Sequence, residues 1–312
     1  MMRAMSQDEL GGPQVLHEVE LPRPVPGPTE VLVRVHAAGV NPTDWKHRQS
    51  GRLLGQPPFV LGWDVSGVVE EVGLGVAIHR PGDEVFGMLR YPFGNGAYAE
   101  YVTAPARTFA PRPVGLDHVH AAALPLAALT AWQALVDLGG VREGQTVLIH
   151  GAGGGVGHLA VQIAKARGAR VVGTASAGKH EFVRSLGADE LVDYRAQDFT
   201  DGLSDVDMVL DSIGGDYGPR SVGVMREGGV LVSLAVADIA AGLPDLASAA
   251  NVRCHVMLVE PDWAALRGIA ALVEDGVLRA TVDSDYALSD AASAHRRSEA
   301  GGSTGKIVLR VR

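Results

Sequence analysis

A single cysteine, Cys254, stands among 312 residues. Without a second thiol no internal disulfide forms, and zinc or iron–sulfur sites built from several cysteines are excluded. That usage fits a reducing compartment, so the cytoplasm is the expected address. Positive charge is also scarce: 27 Lys and Arg against 36 Asp and Glu leave a net charge of -9. Phosphate binding needs clustered Lys and Arg, so nucleic acid is not an expected partner. Long apolar runs are missing too. The longest, AAALPLAALTAWQALV, is interrupted by Pro125 and is shorter than the roughly 20 residues that span a bilayer, so no membrane is expected. The opening MMRAMSQDELGGPQ carries no apolar signal core, which argues against export.

Hydrophobic residues make up 46% and charged residues 20%, the balance of a globular protein with room for two domains. The first 120 residues read as β-rich: EVLVRVHAAGV, VSGVVEEVG, DEVFGML and GAYAEYVTA are short Val-rich runs punctuated by Gly and Pro. From about residue 121 the texture turns helical in AAALPLAALTAWQALVDL, and then strands and helices alternate. Strands are expected at TVLIH, ARVVGTA, ELVDY, VDMVLD, GGVLVSLA and VRCHVMLVE, with helices at VGHLAVQIAKARG and KHEFVRSLGA. This alternation predicts an α/β fold: a doubly wound, parallel, six-stranded dinucleotide-binding (Rossmann) domain. A strand near LRATVD, a helix near LSDAASAHRRSEAG and a final strand GKIVLRV return to the β-rich part. The expected domains are therefore 1–124 with 270–312, and an inserted 125–269.

The strongest local signal is VLIHGAGGGVGHLA. Gly154 and Gly157 take the second and third positions of G-x-G-x-x-G, with Ala152 at the first. A pyrophosphate must approach the backbone of Gly153, Gly154, Gly155, Val156 and Gly157, so side chains are excluded there. The helix that follows offers free N–H groups and a positive dipole end. The strand before and the helix after distinguish it from a flexible glycine-rich turn.

An NAD site wants a carboxylate about 20 residues on, for the ribose 2′-hydroxyl. Here the stretch is GTASAGK, with Thr174, Ala175 and Ser176 in its place, and the first acid is Glu181. Nothing there repels a 2′-phosphate, which Ser176 and Lys179 can bind, although Lys179 also reads as a solvated lysine at a helix start. A charge-assisted hydrogen bond contributes roughly 1.5–3 kcal/mol, enough to favour NADPH by about tenfold or more. NADPH is the expected cofactor.

With these residues in view, the chain resembles the medium-chain dehydrogenase/reductase superfamily, and within it the zinc-free quinone oxidoreductase and enoyl reductase branch. The resemblance runs through AAGVNPTDWK, LGWDVSGVVEEVG, GDEVFG, GAYAEYV, LPLAALTAWQAL, HGAGGGVGHLAVQIAKARGA, LGADELVDY, DMVLDSIGG and GKIVLRV. It implies that the β-rich part is a GroES-like catalytic domain. Zinc-dependent members carry Cys in the first block and Gly-His-Glu in the second; here Asn41 and Trp63 stand in those places. Too few ligands remain in register for zinc. His118 and His120, two apart in LDHVH, read as a solvated loop.

The resemblance also implies roles. Asn41 lines the nicotinamide end of the cleft and offers N–H to a carbonyl gaining charge, or else only caps the turn before Pro42. Asp44 is a cap or pairs with Lys46. Trp45 is either a wall of an apolar cleft or core, while His47 and Arg48 are expected at the surface. Cofactor contacts are implied for Thr130, for Tyr194 by the 2′-phosphate, for Ser212 and Ile213 after the fourth sheet strand, and for Leu234 and Leu258 after the fifth and sixth. Lys306 reads as a strand-edge lysine. Tyr91, in MLRYPFGNGAY, and Lys46 are candidate proton donors, with solvent as a third. The loop GMLRYPFGN and residues 45–60 are expected to set substrate choice.

Without zinc or flavin, direct hydride transfer to an electron-poor alkene conjugated to a carbonyl, or to a quinone, fits best. Two alternatives stay open: an NADPH-binding protein without turnover, acting as sensor or structural protein, and a non-redox cyclisation enzyme. The β-prone edge RCHVMLVE, within 253–259, is a liability unless paired, and the resemblance implies pairing in a homodimer.

Overall fold

Eleven residues rich in valine and ending in small side chains, EVLVRVHAAGV, form the longest strand and organise the first half of the chain. The computed structural model describes residues 1–93 and 96–312. In chain order the first strands are β1 (Met2–Gln7), β2 (His17–Leu21), β3 (Glu30–Val40), β4 (Phe59–Val60), β5 (Asp64–Val72), β6 (Glu84–Met88), β7 (Tyr101–Pro105) and β8 (Phe109–Pro111). A helix, α1 (Pro42–Ser50), follows β3 directly. The next strands are β9 (Thr146–Ile149), β10 (Arg170–Ala175), β11 (Glu190–Asp193), β12 (Val206–Asp211), β13 (Met225–Ser233) and β14 (Arg253–Val256), and β15 (Val282–Ala287) and β16 (Lys306–Arg310) close the chain.

The chain divides into two compact units, residues 1–129 with 260–312 and residues 130–259. The sequence placed the seams at 124/125 and 269/270. The helix Trp263–Glu274 accounts for the shift at the second seam. Its Trp263 ring meets Arg107, and Glu274 accepts the N–H of Val114, so this helix packs with the β-rich unit.

In the first unit, β3 is the hub. It pairs antiparallel with β5, β7 and β16, within a sheet ordered β15-β16-β3-β5-β6-β8. Register then places chemistry. Gly39 lies opposite Asp64 of β5 and Val308 of β16, so the end of β3 meets the start of both neighbours. Gly39 itself is required: a Cβ there would sit 2.5 Å from the Ala122 carbonyl oxygen and 2.7 Å from the Asp64 carboxylate.

The second unit is the expected parallel sheet, ordered β11-β10-β9-β12-β13-β14. Its strands are apolar on both faces because helices cover both. Leu148, Val172, Val209 and Leu231 form one continuous core. The strand order reverses between β9 and β12, and ligands of such sheets bind at the carboxyl ends flanking that switch. The helix predicted over 156–168 spans Gly157–Ala166 and closes at Gly168, whose φ of +77° suits glycine. Among the described residues, no helix is long and apolar enough to cross a membrane.

Two local readings change. His118 and His120 are not in a solvated loop but on a short helix, His118–Ala122. His118 bonds the Ser66 hydroxyl at 2.8 Å and stacks on His36. The strand expected near LRATVD begins at Val282, a few residues later.

Candidate active site

Three strand ends bring Asn41, Asp64 and Lys306 together, and all three are buried. Asn41 follows β3, Asp64 opens β5 and Lys306 opens β16. The Lys306 ammonium only donates and the Asp64 carboxylate only accepts, so the Asn41 amide has one possible orientation. Its Oδ1 accepts from Lys306, and its Nδ2 donates to Asp64 Oδ2 at 2.8 Å. Lys306 also donates to Asp64 Oδ2 at 3.3 Å and to the Val40 carbonyl at 3.2 Å. Asp64 Oδ1 takes the Leu126 N–H at 2.6 Å. Asn41 is thus more than a turn cap, and Lys306, 3% exposed, is no strand-edge lysine.

Asp44 does not pair with Lys46. It caps α1, its Oδ2 accepting the Asn41 N–H at 2.7 Å and the Tyr98 hydroxyl at 2.8 Å. His47 and Arg48, expected at the surface, are fully buried. The helix turns Asp44, His47 and Arg48 inward at a spacing of three and four residues, so its buried face is polar. Arg48 is the anchor: it donates to Glu299 at 2.7 Å, to the Gly11 carbonyl at 3.0 Å and to His295 Nδ1 at 3.0 Å.

A guanidinium cannot accept, so it sets the direction of a hydrogen-bond chain. His295 Nδ1 is the acceptor, and the neutral ring carries its hydrogen on Nε2. That hydrogen points to the Tyr98 oxygen at 3.1 Å, and the Tyr98 hydroxyl then donates to Asp44. Burial, with Arg48 adding to it, holds His295 down at about 3, which keeps the ring neutral. Burial pushes Asp44 up to about 7, with Asp64 adding, while the Asn41 N–H and the Tyr98 hydroxyl pull the other way.

On the same first turn lies an aromatic cluster. Tyr91 Oη is 3.0 Å from Thr43 Oγ1, and the Trp63 ring stands between His47 and Tyr91 at 5.2 and 5.1 Å. Asn41 and Tyr91 are therefore brought to one turn of α1. Lys46 is not: it is exposed, its ammonium 5.6 Å over the half-buried Trp45 ring. Trp45 is half-buried, with its indole nitrogen out of reach of solvent. Within the loop expected to select substrate, Gly94 and Asn95 lie outside the described residues.

In the second unit the glycine loop joins β9 to its helix at the switch point. A Cβ on Gly157 would lie 2.2 Å from the Gly151 carbonyl oxygen, and one on Gly153 would lie 2.9 Å from Lys179 Cδ. At Gly157 the clash is with backbone and no side chain fits, whereas at Gly153 the neighbour is a lysine side chain, so the loop keeps its backbone close-packed where a pyrophosphate would approach. Gly154 is looser, its nearest neighbour 3.2 Å away. Gly155 and Val156 complete the turn into the helix, with the Val156 carbonyl accepting the Ala160 N–H.

Thr174 is 1% exposed, and its hydroxyl accepts the Gly151 N–H at 3.2 Å. Thr174, expected among the cofactor-binding residues, holds the first turn of the glycine loop through this bond. Half-buried Ser176 stands just past β10, and Lys179 Nζ lies 3.5 Å from the Gly153 carbonyl. Tyr194, 45% exposed, stands past β11 with the guanidinium of its neighbour Arg195 5.7 Å over its ring. Ser212 is tied to the His150 carbonyl at 2.9 Å, linking the β12 loop to the glycine loop. Ile213 and Leu258 are exposed, and Leu234 is half-buried. Thr130 is buried at the start of this unit.

Comparison with known proteins matches this geometry. A family model described as an alcohol dehydrogenase GroES-like domain covers residues 27–114, and one described as a zinc-binding dehydrogenase covers 186–309. Zinc does not fit these side chains: the Lys306 ammonium already occupies the place beside Asp64, and Asn41 is spent on both. The structure of a quinone oxidoreductase from Coxiella burnetii superimposes with a TM-score of 0.94 at 37% identity, covering 100% of this chain and 99% of that one. An Escherichia coli quinone oxidoreductase complexed with NADPH superimposes with a TM-score of 0.87 at 28% identity, covering 99% of each. A 2-methylene-furan-3-one reductase of Solanum lycopersicum is 33% identical, over 99% of this chain and 79% of its own length.

Proposed function

The chain belongs to the zinc-free quinone oxidoreductase branch of the medium-chain dehydrogenase/reductase superfamily, and from that premise we propose that it passes hydride from NADPH to a conjugated enone or a quinone without zinc or flavin. The observation that carries the proposal is the open glycine cradle followed by Ser176, Lys179, Tyr194 and Arg195, with no carboxylate where an NAD ribose would need one. The E. coli relative complexed with NADPH supports this cofactor, and similarity to both a quinone oxidoreductase and a 2-methylene-furan-3-one reductase supports both acceptor classes.

NADPH, when bound, supplies the hydride. The chain's own contribution is to hold the acceptor and stabilise the oxyanion that forms. Asn41 is the proposed donor to that oxygen. One of its amide hydrogens is spent on Asp64, and the other is aimed by the grip of Lys306 on Oδ1. A donor locked by two buried charges needs no reorganisation when charge develops.

The test is oxidation of NADPH and NADH over enones, quinones, enoyl thioesters and simple aldehydes. Consumption with enones or quinones and a tenfold or larger NADPH preference is the expected result. NADPH that binds tightly but is never consumed would replace this reading with a binding protein. We also propose a cytoplasmic homodimer, because β14 is an edge strand of the six-stranded sheet and exposed edges invite pairing. Sedimentation should show two chains at micromolar concentration, and a monomer there would count against it.

A further inference from the structure

Resting on the reductase reading above, we propose that Tyr91 is the acid that protonates the α-carbon of an enone substrate, its hydroxyl aimed by Thr43 and His47. The direction of the hydrogen bonds carries the proposal. His47 Nδ1 lies 2.7 Å from the Thr43 carbonyl oxygen, which can only accept. Nδ1 therefore carries a hydrogen. The ring is fully buried, and burial holds its basicity below the ordinary histidine value, so the ring is neutral and Nε2 is bare. Nε2 has no hydrogen-bond partner among the described residues.

A protonated Nδ1 cannot accept the Thr43 hydroxyl, although Oγ1 is only 3.1 Å away. Thr43 Oγ1 pairs instead with Tyr91 Oη at 3.0 Å, a bond that either hydroxyl can donate, and Thr43 is assigned as its donor. Tyr91 is then an acceptor toward α1, and its own hydrogen points away from the helix. Its ring is held edge-on by Trp63 at 81° and by His47 at 85°. Trp63 is itself pinned, its indole N–H donating to the Phe93 carbonyl at 3.3 Å and its carbonyl accepting the Leu89 N–H at 2.7 Å. A half-buried tyrosine with a fixed ring and an outward hydroxyl hydrogen stands one turn of helix from the proposed carbonyl donor, Asn41.

The step balances without another reagent. Once hydride has reached the β-carbon, the alkene electron pair belongs to the enolate. The Tyr91 O–H bond breaks, the α-carbon gains a C–H bond, and the tyrosinate keeps the hydrogen bond from Thr43 until water returns a proton. One NADPH and one proton are consumed per double bond reduced. A quinone makes no such demand, because its reduced anion is a phenolate whose acidity, like that of tyrosine, lies near pKa 10, and solvent completes it. Tyr91 thus serves enones and is dispensable for quinones.

The test uses the full chain with NADPH, 2-methyl-2-cyclohexenone and a benzoquinone. Tyr91→Phe keeps the ring in its aromatic seat. The expected result is a kcat for the enone lower by about 100-fold or more, with quinone reduction little changed. The wild type should give one handedness at the new α-centre, and Tyr91→Phe a mixture, since the enolate then takes its proton from solvent on either face. Thr43→Val should erode that selectivity, and Thr43→Ser should restore it. Equal loss with both acceptors, or unchanged rate and handedness in Tyr91→Phe, overturns the proposal. A wild type that reduces only quinones also overturns it while leaving the reductase reading intact. A wild type that oxidises NADPH with neither acceptor removes both.

Discussion

Lys306→Met is expected to lower the free energy of unfolding by about 3–5 kcal/mol, the usual cost of removing one partner from a buried ion pair. Lys306 is 3% exposed and Asp64 fully buried, so water cannot replace the ammonium. Methionine fills the space of the lysine stem but, among the described residues, leaves Asp64 the Asn41 amide and the Leu126 N–H as its donors. Asn41 Oδ1 loses its donor at the same time. The check is a urea titration read as a change in midpoint at constant slope. Adding Asp64→Asn to Lys306→Met should recover part of the loss, because a neutral amide needs no counter-ion. Two substitutions that simply add would mean that the pair is not coupled. The same lysine variant should also lower kcat for every acceptor, since the Asn41 amide is no longer held.

The second large effect is on cofactor choice. Lys179→Glu should lower the kcat/KM ratio of NADPH over NADH by roughly ten- to hundredfold, the loss of one charge-assisted contact to a phosphate. Lys179 is placed for it: Nζ reaches the Gly153 carbonyl at the mouth of the glycine loop, beside Ser176. NADH should be used as well as before or better, because glutamate supplies the missing acceptor for a ribose 2′-hydroxyl. Steady-state kinetics with each nucleotide decide it. An equal fall for both would place Lys179 on the pyrophosphate they share, and the preference would then rest on Tyr194 and Arg195.

These two residues also mark the limits of reading the chain as a string. The sheet of the second unit is written locally. Each of its strands is a short apolar run bounded by turn residues, so each signal lies within a few consecutive positions. The glycine loop is equally local, because a close backbone approach forbids side chains within a few consecutive positions. Lys179 and Ser176 follow from that loop by a counted distance along the chain.

The polar centre of the first unit has no such signature. Asn41 meets Asp64 across 23 positions and Lys306 across 265, through strand register alone. The helix α1 misled for a related reason. A sequence reading assigns a helix face carrying Asp, His and Arg to solvent, because burying those groups is costly unless each finds a partner. Here Asp44 and Arg48 find theirs in Tyr98, His295 and Glu299, far along the chain, while His47 is tied to the Thr43 carbonyl on its own helix. The sequence alone determined the fold class, the nucleotide loop and the absence of a cysteine-built metal site, because those depend on local periodicity and residue identity. Only the tertiary structure decided which charges are buried and how the Asn41 amide is held, because compensation of a buried charge is a property of partners brought together by folding.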